Sequence, residues 1–345
     1  MTAASPGRRA ARSALRLSAG ATALVAAAFA WGWWVQPSVI VVPLRAAMQW
    51  RMGIASRSVD AGGHRWPYIE SGPADGPPMV FLHGFGTSKD AMGMLVAEFG
   101  RRGWRALAPD LPAFGEHAYH DGERHDGAFY AREAGTFMDA VGAPEAVVVG
   151  TSMGGAVACE LAIEHPERVR ALLMLSPAGV VPPVRNDFMR EVDAGGNPLD
   201  LATEDDFDRI TRTVFARPPQ VPAPFRRWFT EEARARRPRT LEVVEAIKPF
   251  LMGGLQGRMG AVAAPTLVLY GTADRVTDPS MLSVFAGEMP AARTALLAGS
   301  GHVPFSDDFP GTVREMSGFL EWCGLARQGR ATPAAPHHAD GAAPR

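Results

Sequence analysis

Short apolar runs alternate with helix-length segments along most of this 345-residue chain, and no other feature limits its fold as sharply. The runs are Met79 to Leu82, Trp104 to Ala108, Ala146 to Gly150, Ala171 to Leu175, Thr266 to Tyr270 and Arg293 to Leu297. Near-continuous apolar runs predict strands covered on both faces, as in a parallel sheet. Segments near 88–101, 127–141, 153–165, 280–288 and 308–322 are the predicted crossover helices. Such crossovers are right-handed, so the expectation is an α/β fold with a mostly parallel, doubly wound sheet over 54–176 and 264–323. Between Pro177 and Pro265 the rhythm stops. Nine prolines lie inside that stretch, and residues 177–263 are predicted to form short polar helices as an inserted helical cap. The cap carries Phe225, Trp228, Phe229, Phe250 and Leu251.

The N-terminus differs from the rest. A basic segment, 1–16, holds Arg8, Arg9, Arg12 and Arg16, and an uncharged run follows over 17–35. As a helix that run would be roughly 28 Å long, the thickness of a bilayer core. Trp31, Trp33 and Trp34 sit at its far end, where interfacial indoles are favoured. The expectation is a single-pass transmembrane anchor with the domain that follows it on the non-cytoplasmic side, periplasmic or extracellular. The alternatives are a signal peptide cleaved near Ala28-Phe29-Ala30, giving a secreted protein, and an amphipathic helix lying on a surface. The tail, 326–345, is rich in Ala, Pro and Gly and is predicted to be disordered; its His337-His338 pair is too short to read as a metal site.

Composition removes several classes. Hydrophobic residues are 47% and charged residues 21%, which excludes a disordered chain and a multi-span membrane protein. A net charge of −1 offers no field to recruit nucleic acid. Two cysteines, Cys159 and Cys323, cannot build a disulfide scaffold or a zinc cluster. No dinucleotide fingerprint or P-loop is present, so no cofactor is expected.

The chemistry concentrates in Gly150-Thr151-Ser152-Met153-Gly154-Gly155, a G-x-S-x-G turn between an apolar strand and a helical segment. Small residues at 150 and 154 permit a tight strand-to-helix turn that lifts the Ser152 hydroxyl clear of the sheet, at the positive end of the next helix. A serine nucleophile needs a base, and His302, in Gly299-Ser300-Gly301-His302 after the last predicted strand, is the candidate. The imidazole needs an anion on its other nitrogen. Asp274 follows the strand Thr266 to Tyr270, with Asp278 as the rival acid and Asp307 a poorer fit. The order Ser, Asp, His has separations of 122 and 28 residues, room for a cap and then for one helix and one strand. His83-Gly84-Phe85-Gly86 follows the strand Met79 to Leu82. The backbone N–H groups of Phe85 and Met153 are the predicted oxyanion hole, His83 a brace for that loop, and Asp110 a turn acceptor.

With these residues in place, the chain resembles the α/β-hydrolase superfamily over roughly residues 60–323. Ser152, Asp274 and His302 fall on its triad positions, and Phe85 and Met153 on its oxyanion positions. Residues 83–90, 150–155 and 175–180, with the N-terminal anchor, resemble membrane-anchored monoacylglycerol lipases and related bacterial lipases. The same stretches resemble the cofactor-free meta-cleavage C–C hydrolases, although Val303 stands where their histidine is followed by an aromatic residue. The resemblance implies a serine hydrolase of carboxylic esters, lipid-like monoesters such as monoacylglycerols, acting through an acyl-enzyme. A C–C bond hydrolase with the same triad is the alternative, and a non-catalytic receptor on this fold is a third reading. Phe225, Trp228 and Phe229 are the expected acyl-chain lining; the alternative is that they form the cap's own small core.

Overall fold

The computed structural model describes residues 20, 22–27, 30–120 and 122–325. The basic segment up to Arg16, the first residues of the apolar run and the tail 326–345 lie outside them.

Eight strands form one sheet: β1 (Ala55–Ala61), β2 (His64–Ser71), β3 (Pro78–Leu82), β4 (Arg105–Pro109), β5 (Ala146–Thr151), β6 (Val169–Leu175), β7 (Thr266–Gly271) and β8 (Arg293–Leu297). Their order is β1-β2-β4-β3-β5-β6-β7-β8. From β4 to β8 every pair is parallel, while β1 and β2 add an antiparallel edge. The six expected strands appear within one or two residues of their apolar runs. The β1–β2 hairpin is an addition. β1 is largely exposed, so its sequence Ala-Ser-Arg-Ser-Val-Asp-Ala carries almost no burial signal.

Side chains alternate across the central strands. On β5, Val147 and Val149 join one buried cluster and Val148 the other. The first cluster packs under α3 (Gly93–Arg101) and α11 (Phe309–Trp322). The second packs under α4 (Gly127–Ala140), α5 (Met153–Glu164) and α9 (Met281–Glu288). Each fully buried valine of this kind contributes roughly 1.5–3 kcal/mol, which is why the central strands read as unbroken apolar runs.

Residues between β6 and β7 form the inserted helices α6 (Asp187–Asp193), α7 (Glu204–Val214) and α8 (Ala223–Leu251). The expectation of only short helices there needs correction, because α8 runs 29 residues through Pro238 and Pro249. An interior proline removes one backbone hydrogen bond and costs about 3 kcal/mol. Anchors along the helix offset this. Arg226 pairs with Asp208 at 3.0 Å, Arg237 with Asp200 at 2.6 Å, and Val243, Ile247 and Phe250 bury one stripe against the core.

The N-terminal segment also departs from expectation. Thr22–Trp34 (α1) and Ser38–Arg51 (α2) are two helices bent by 98°. Among the described residues no single helix is long and apolar enough to cross a membrane, so they do not support the expected transmembrane helix over 17–35. Pro37 at the break has no N–H with which to continue α1. The orphan carbonyls of Trp33 and Trp34 at the end of α1 accept instead from Arg227 of α8, at 3.2 and 2.6 Å.

Candidate active site

The carboxyl ends of β3, β5, β6 and β7 lie side by side, and the chemistry-bearing residues follow them. In open parallel sheets this crevice is where ligands bind.

Ser152 stands between β5 and α5 with φ 53° and ψ −118°, a backbone conformation that non-glycine residues rarely hold. The turn is tight enough to exclude side chains on both sides. A Cβ at Gly150 would lie 2.1 Å from the Gly154 carbonyl oxygen, and one at Gly154 would lie 2.2 Å from the Leu82 carbonyl oxygen. The strain holds because β6 clamps the serine backbone: Ser152 N–H donates to Leu175 O at 3.0 Å, and Ala178 N–H donates to Ser152 O at 3.2 Å. Among the described residues the Ser152 hydroxyl has no hydrogen-bond partner, so it is not engaged by His302 in this conformation. Catalytic hydrogen bonds of this type commonly tighten only when substrate is bound.

Asp274 and His302 are both buried and are joined by His302 Nδ1 to Asp274 Oδ2 at 3.0 Å. Asp274 is held by its own turn, since Oδ1 accepts the N–H groups of Val276 at 2.9 Å and Thr277 at 3.1 Å. Thr277 Oγ1 lies 2.9 Å from Asp274 Oδ2, 3.1 Å from His302 Nδ1 and 3.1 Å from the Ser176 carbonyl oxygen. Sequence reasoning passed over this threonine; its only signal is a hydroxyl three residues after the acid. Asp278 instead accepts the Ser280 N–H at 2.9 Å before α9. Asp307 accepts from the Gly301, Ala216 and Arg217 N–H groups, tying the end of α7 to the histidine loop. The His302 N–H donates to Val214 O at 2.8 Å in the same tie.

The β3–α3 loop approaches from the other side. A Cβ at Gly84 would lie 3.4 Å from Ser152 Cβ. Among the described residues neither the Phe85 nor the Met153 N–H donates to a protein acceptor. His83 is fully buried, and burial pushes its imidazole below its ordinary range. Its Nε2 accepts the Leu111 N–H at 3.0 Å, which leaves the proton on Nδ1 to donate to Gly84 O at 2.8 Å. His83 thus pins the loop while neutral. Asp110 closes the next loop: it accepts Lys89 N–H at 2.7 Å, Lys89 Nζ at 2.7 Å and Glu116 N–H at 2.8 Å.

The three expected acyl-lining residues are placed in the cap. Phe225 meets Trp33 edge-on at 6.5 Å, Trp228 meets Phe229 at 4.8 Å, and Phe229 stacks on Phe207 at 6.0 Å. Phe250 is buried against the start of α4, where Gly127 leaves it room. Among the described residues no group of three or more His, Cys, Asp or Glu side chains is arranged to hold a metal ion.

A strained serine thus stands at a strand-to-helix turn, and a buried His–Asp pair stands on the loops after the last two strands. The sequence profile of the alpha/beta hydrolase fold matches residues 77–309, and the chain belongs to that family. Lipase 1 of Psychrobacter immobilis is 25% identical over 75% of this chain and 81% of its own length. Monoacylglycerol lipase abhd6-B of Xenopus laevis is 24% identical over 79% and 84%. A crystal structure of a membrane phospholipase A superposes with a TM-score of 0.81, at 28% identity, covering 90% of this chain and 99% of that one. The similarity extends to C–C hydrolases: a 2-hydroxymuconate semialdehyde hydrolase of a Pseudomonas strain is 34% identical, but over only 37% of this chain.

Proposed function

We propose that this protein is a serine hydrolase that cleaves carboxylic esters of lipid-like alcohols through an acyl-enzyme. The observation that carries the reading is the strained Ser152 at the end of β5, together with a buried His302–Asp274 pair on the loops after β8 and β7. Ser152 Oγ attacks the ester carbonyl and passes its proton to His302 Nε2. The Phe85 and Met153 N–H groups receive the developing oxyanion, an effect worth about 3 kcal/mol per donor. Asp274 keeps the proton on Nδ1 and offsets the imidazolium charge. The imidazolium returns its proton to the leaving alcohol, and water, deprotonated by the same imidazole, releases the acid. Apolar cap side chains are proposed to hold the acyl chain, each buried methylene contributing about 0.8 kcal/mol.

The lipid character of the substrate draws support from the apolar N-terminal helices. Trp34 is 67% exposed and Trp50 82%, and Trp31, Val35, Val39, Val42 and Met48 are exposed beside them. α2 is fastened to the rest of the protein through Asp90, with Arg45 on Asp90 at 3.0 Å and Gln49 on Asp90 at 2.8 Å. We propose that this apolar surface meets a lipid bilayer and keeps the site near its substrate.

The experiment is turnover of esters graded from acetyl to palmitoyl, beside a monoacylglycerol, by wild type and Ser152→Ala. The expected result is a medium- or long-chain optimum, with turnover and organophosphonate labelling both lost in the variant. An optimum at acetyl, turnover only of a vinylogous diketone, or labelling at another serine would reject the reading. Flotation of the full chain with phospholipid vesicles tests the membrane contact, and a chain that stays at the bottom of the gradient refutes it.

A further inference from the structure

We infer that Thr277 is a positioning residue for the base: its hydroxyl sets the orientation of the His302 imidazole and ties the His302–Asp274 pair to the same strand end that holds Ser152. The inference rests on the triad reading above and adds a fourth side chain to it.

Thr277 is buried, and its Oγ1 is in reach of three groups: Asp274 Oδ2, Ser176 O and His302 Nδ1. Two of these accept only. The hydroxyl proton therefore goes to the carboxylate or the carbonyl, and the hydroxyl oxygen accepts from Nδ1–H. That proton is then shared between Asp274 Oδ2 at 3.0 Å and Thr277 Oγ1 at 3.1 Å. A ring held by one acceptor can still swing about it; a ring held between two cannot. The threonine is itself fixed, because a β-branched side chain is stiff at χ1.

The third contact sets the distance to the nucleophile. Ser176 holds φ 46°, a left-handed conformation, and its carbonyl meets Thr277 directly after β6. The neighbouring residues Leu175 and Ala178 hold the Ser152 backbone. Nucleophile and base are thus referenced to one four-residue stretch, although they are 150 residues apart in the chain. The hydroxyl also tempers Asp274. A carboxylate oxygen that already accepts a hydrogen bond is a weaker partner for the imidazolium.

The test compares wild type, Thr277→Val and Thr277→Ser in the full chain. Valine keeps the branched shape and removes the hydroxyl. The expected result for valine is a kcat lower by about tenfold, because orientation is lost, with KM unchanged. Freed of the second acceptor, the Nδ1 proton bonds to Asp274 alone. Its proton resonance moves downfield, and the acid limb of the kcat/KM profile moves up by about half a pH unit or more. Serine, which restores the hydroxyl, is expected to recover all three readouts. Should Thr277→Val fail to fold, Thr277→Ala against Thr277→Ser makes the same comparison. A valine variant with wild-type kcat, acid limb and resonance overturns the inference, as does a serine variant as impaired as valine. The resonance is read without substrate, so it separates the two proposals. A protein that shows the shift and hydrolyses no ester keeps the positioning contact and loses the ester reading.

Discussion

The same chemical change, glycine to alanine, is expected to act in opposite directions at two helical positions. In α5, a methyl at Gly154 would sit 2.2 Å from Leu82 O and 2.5 Å from His83 O, against the 3.4 Å or more of an ordinary contact. Roughly 1 Å of separation is missing, and both opposing atoms are backbone, so no rotamer change relieves it. Overpacking of this severity costs about 3 kcal/mol or more, against a helix-propensity gain near 1 kcal/mol. In a domain of this size the net loss lowers Tm by roughly 4–6 °C. The strand that must give way is the end of β3, which leads straight into Phe85. A displacement of about 1 Å there lowers kcat/KM by roughly a hundredfold. Gly318 in α11 is exposed and has nothing within 4 Å of its would-be Cβ. Gly318→Ala is expected to raise Tm by roughly 2–3 °C with unchanged activity. Scanning calorimetry and ester turnover on both variants settle the matter. A Gly154→Ala protein that melts within about 1 °C of wild type and keeps its activity would show that the turn at Ser152 is not held by this contact.

Asp274→Asn is expected to lower kcat by roughly three to four orders of magnitude with the circular dichroism spectrum preserved, because the imidazole loses control of its tautomer. Asp278→Asn should stay near wild type, since that carboxylate caps a turn; the reverse pattern would assign the acid to 278. Burial pushes the imidazoles of His83, His117 and His125 down from their ordinary range. The folded state then binds fewer protons than the unfolded one. The stability these groups supply is complete above about pH 6.5 and is lost as pH falls through their lowered folded values. The urea midpoint should therefore drop on acidification through that window, and by less in His117→Gln. Glu123, whose carboxyl burial pushes up, acts in the opposite sense, so the difference between the two proteins is the informative quantity. Equal slopes would show that His117 is not the source.

Much of the architecture is written in local pattern. A strand buried on both faces must be apolar throughout, so β3 to β7 are visible as runs and the helices as what lies between them. The turn at Ser152 is equally local in its pattern: Gly150, Ser152 and Gly154 lie within five residues between a strand and a helix. Local rules fail where the controlling contact is remote. β1 is polar because one face meets water, and only its register with β2, Ala55 opposite Glu70, makes it a strand. Prolines at 238 and 249 forecast breaks, yet Asp200 and the core hold α8 continuous. The apolar run at the N-terminus has the composition of a membrane span, but α1 ends at Trp34 and α2 leaves at 98° to it after Pro37. Two aspartates four residues apart were both available to the histidine. The strand order β5-β6-β7-β8 places the loop after β8 over the first and leaves the second to a helix turn. Residue types and their order along the chain are properties of sequence alone. Which carboxylate meets the ring, and which hydroxyl joins that pair, is settled only when the sheet forms, because those atoms are brought together by neighbouring strand ends and not by spacing along the chain.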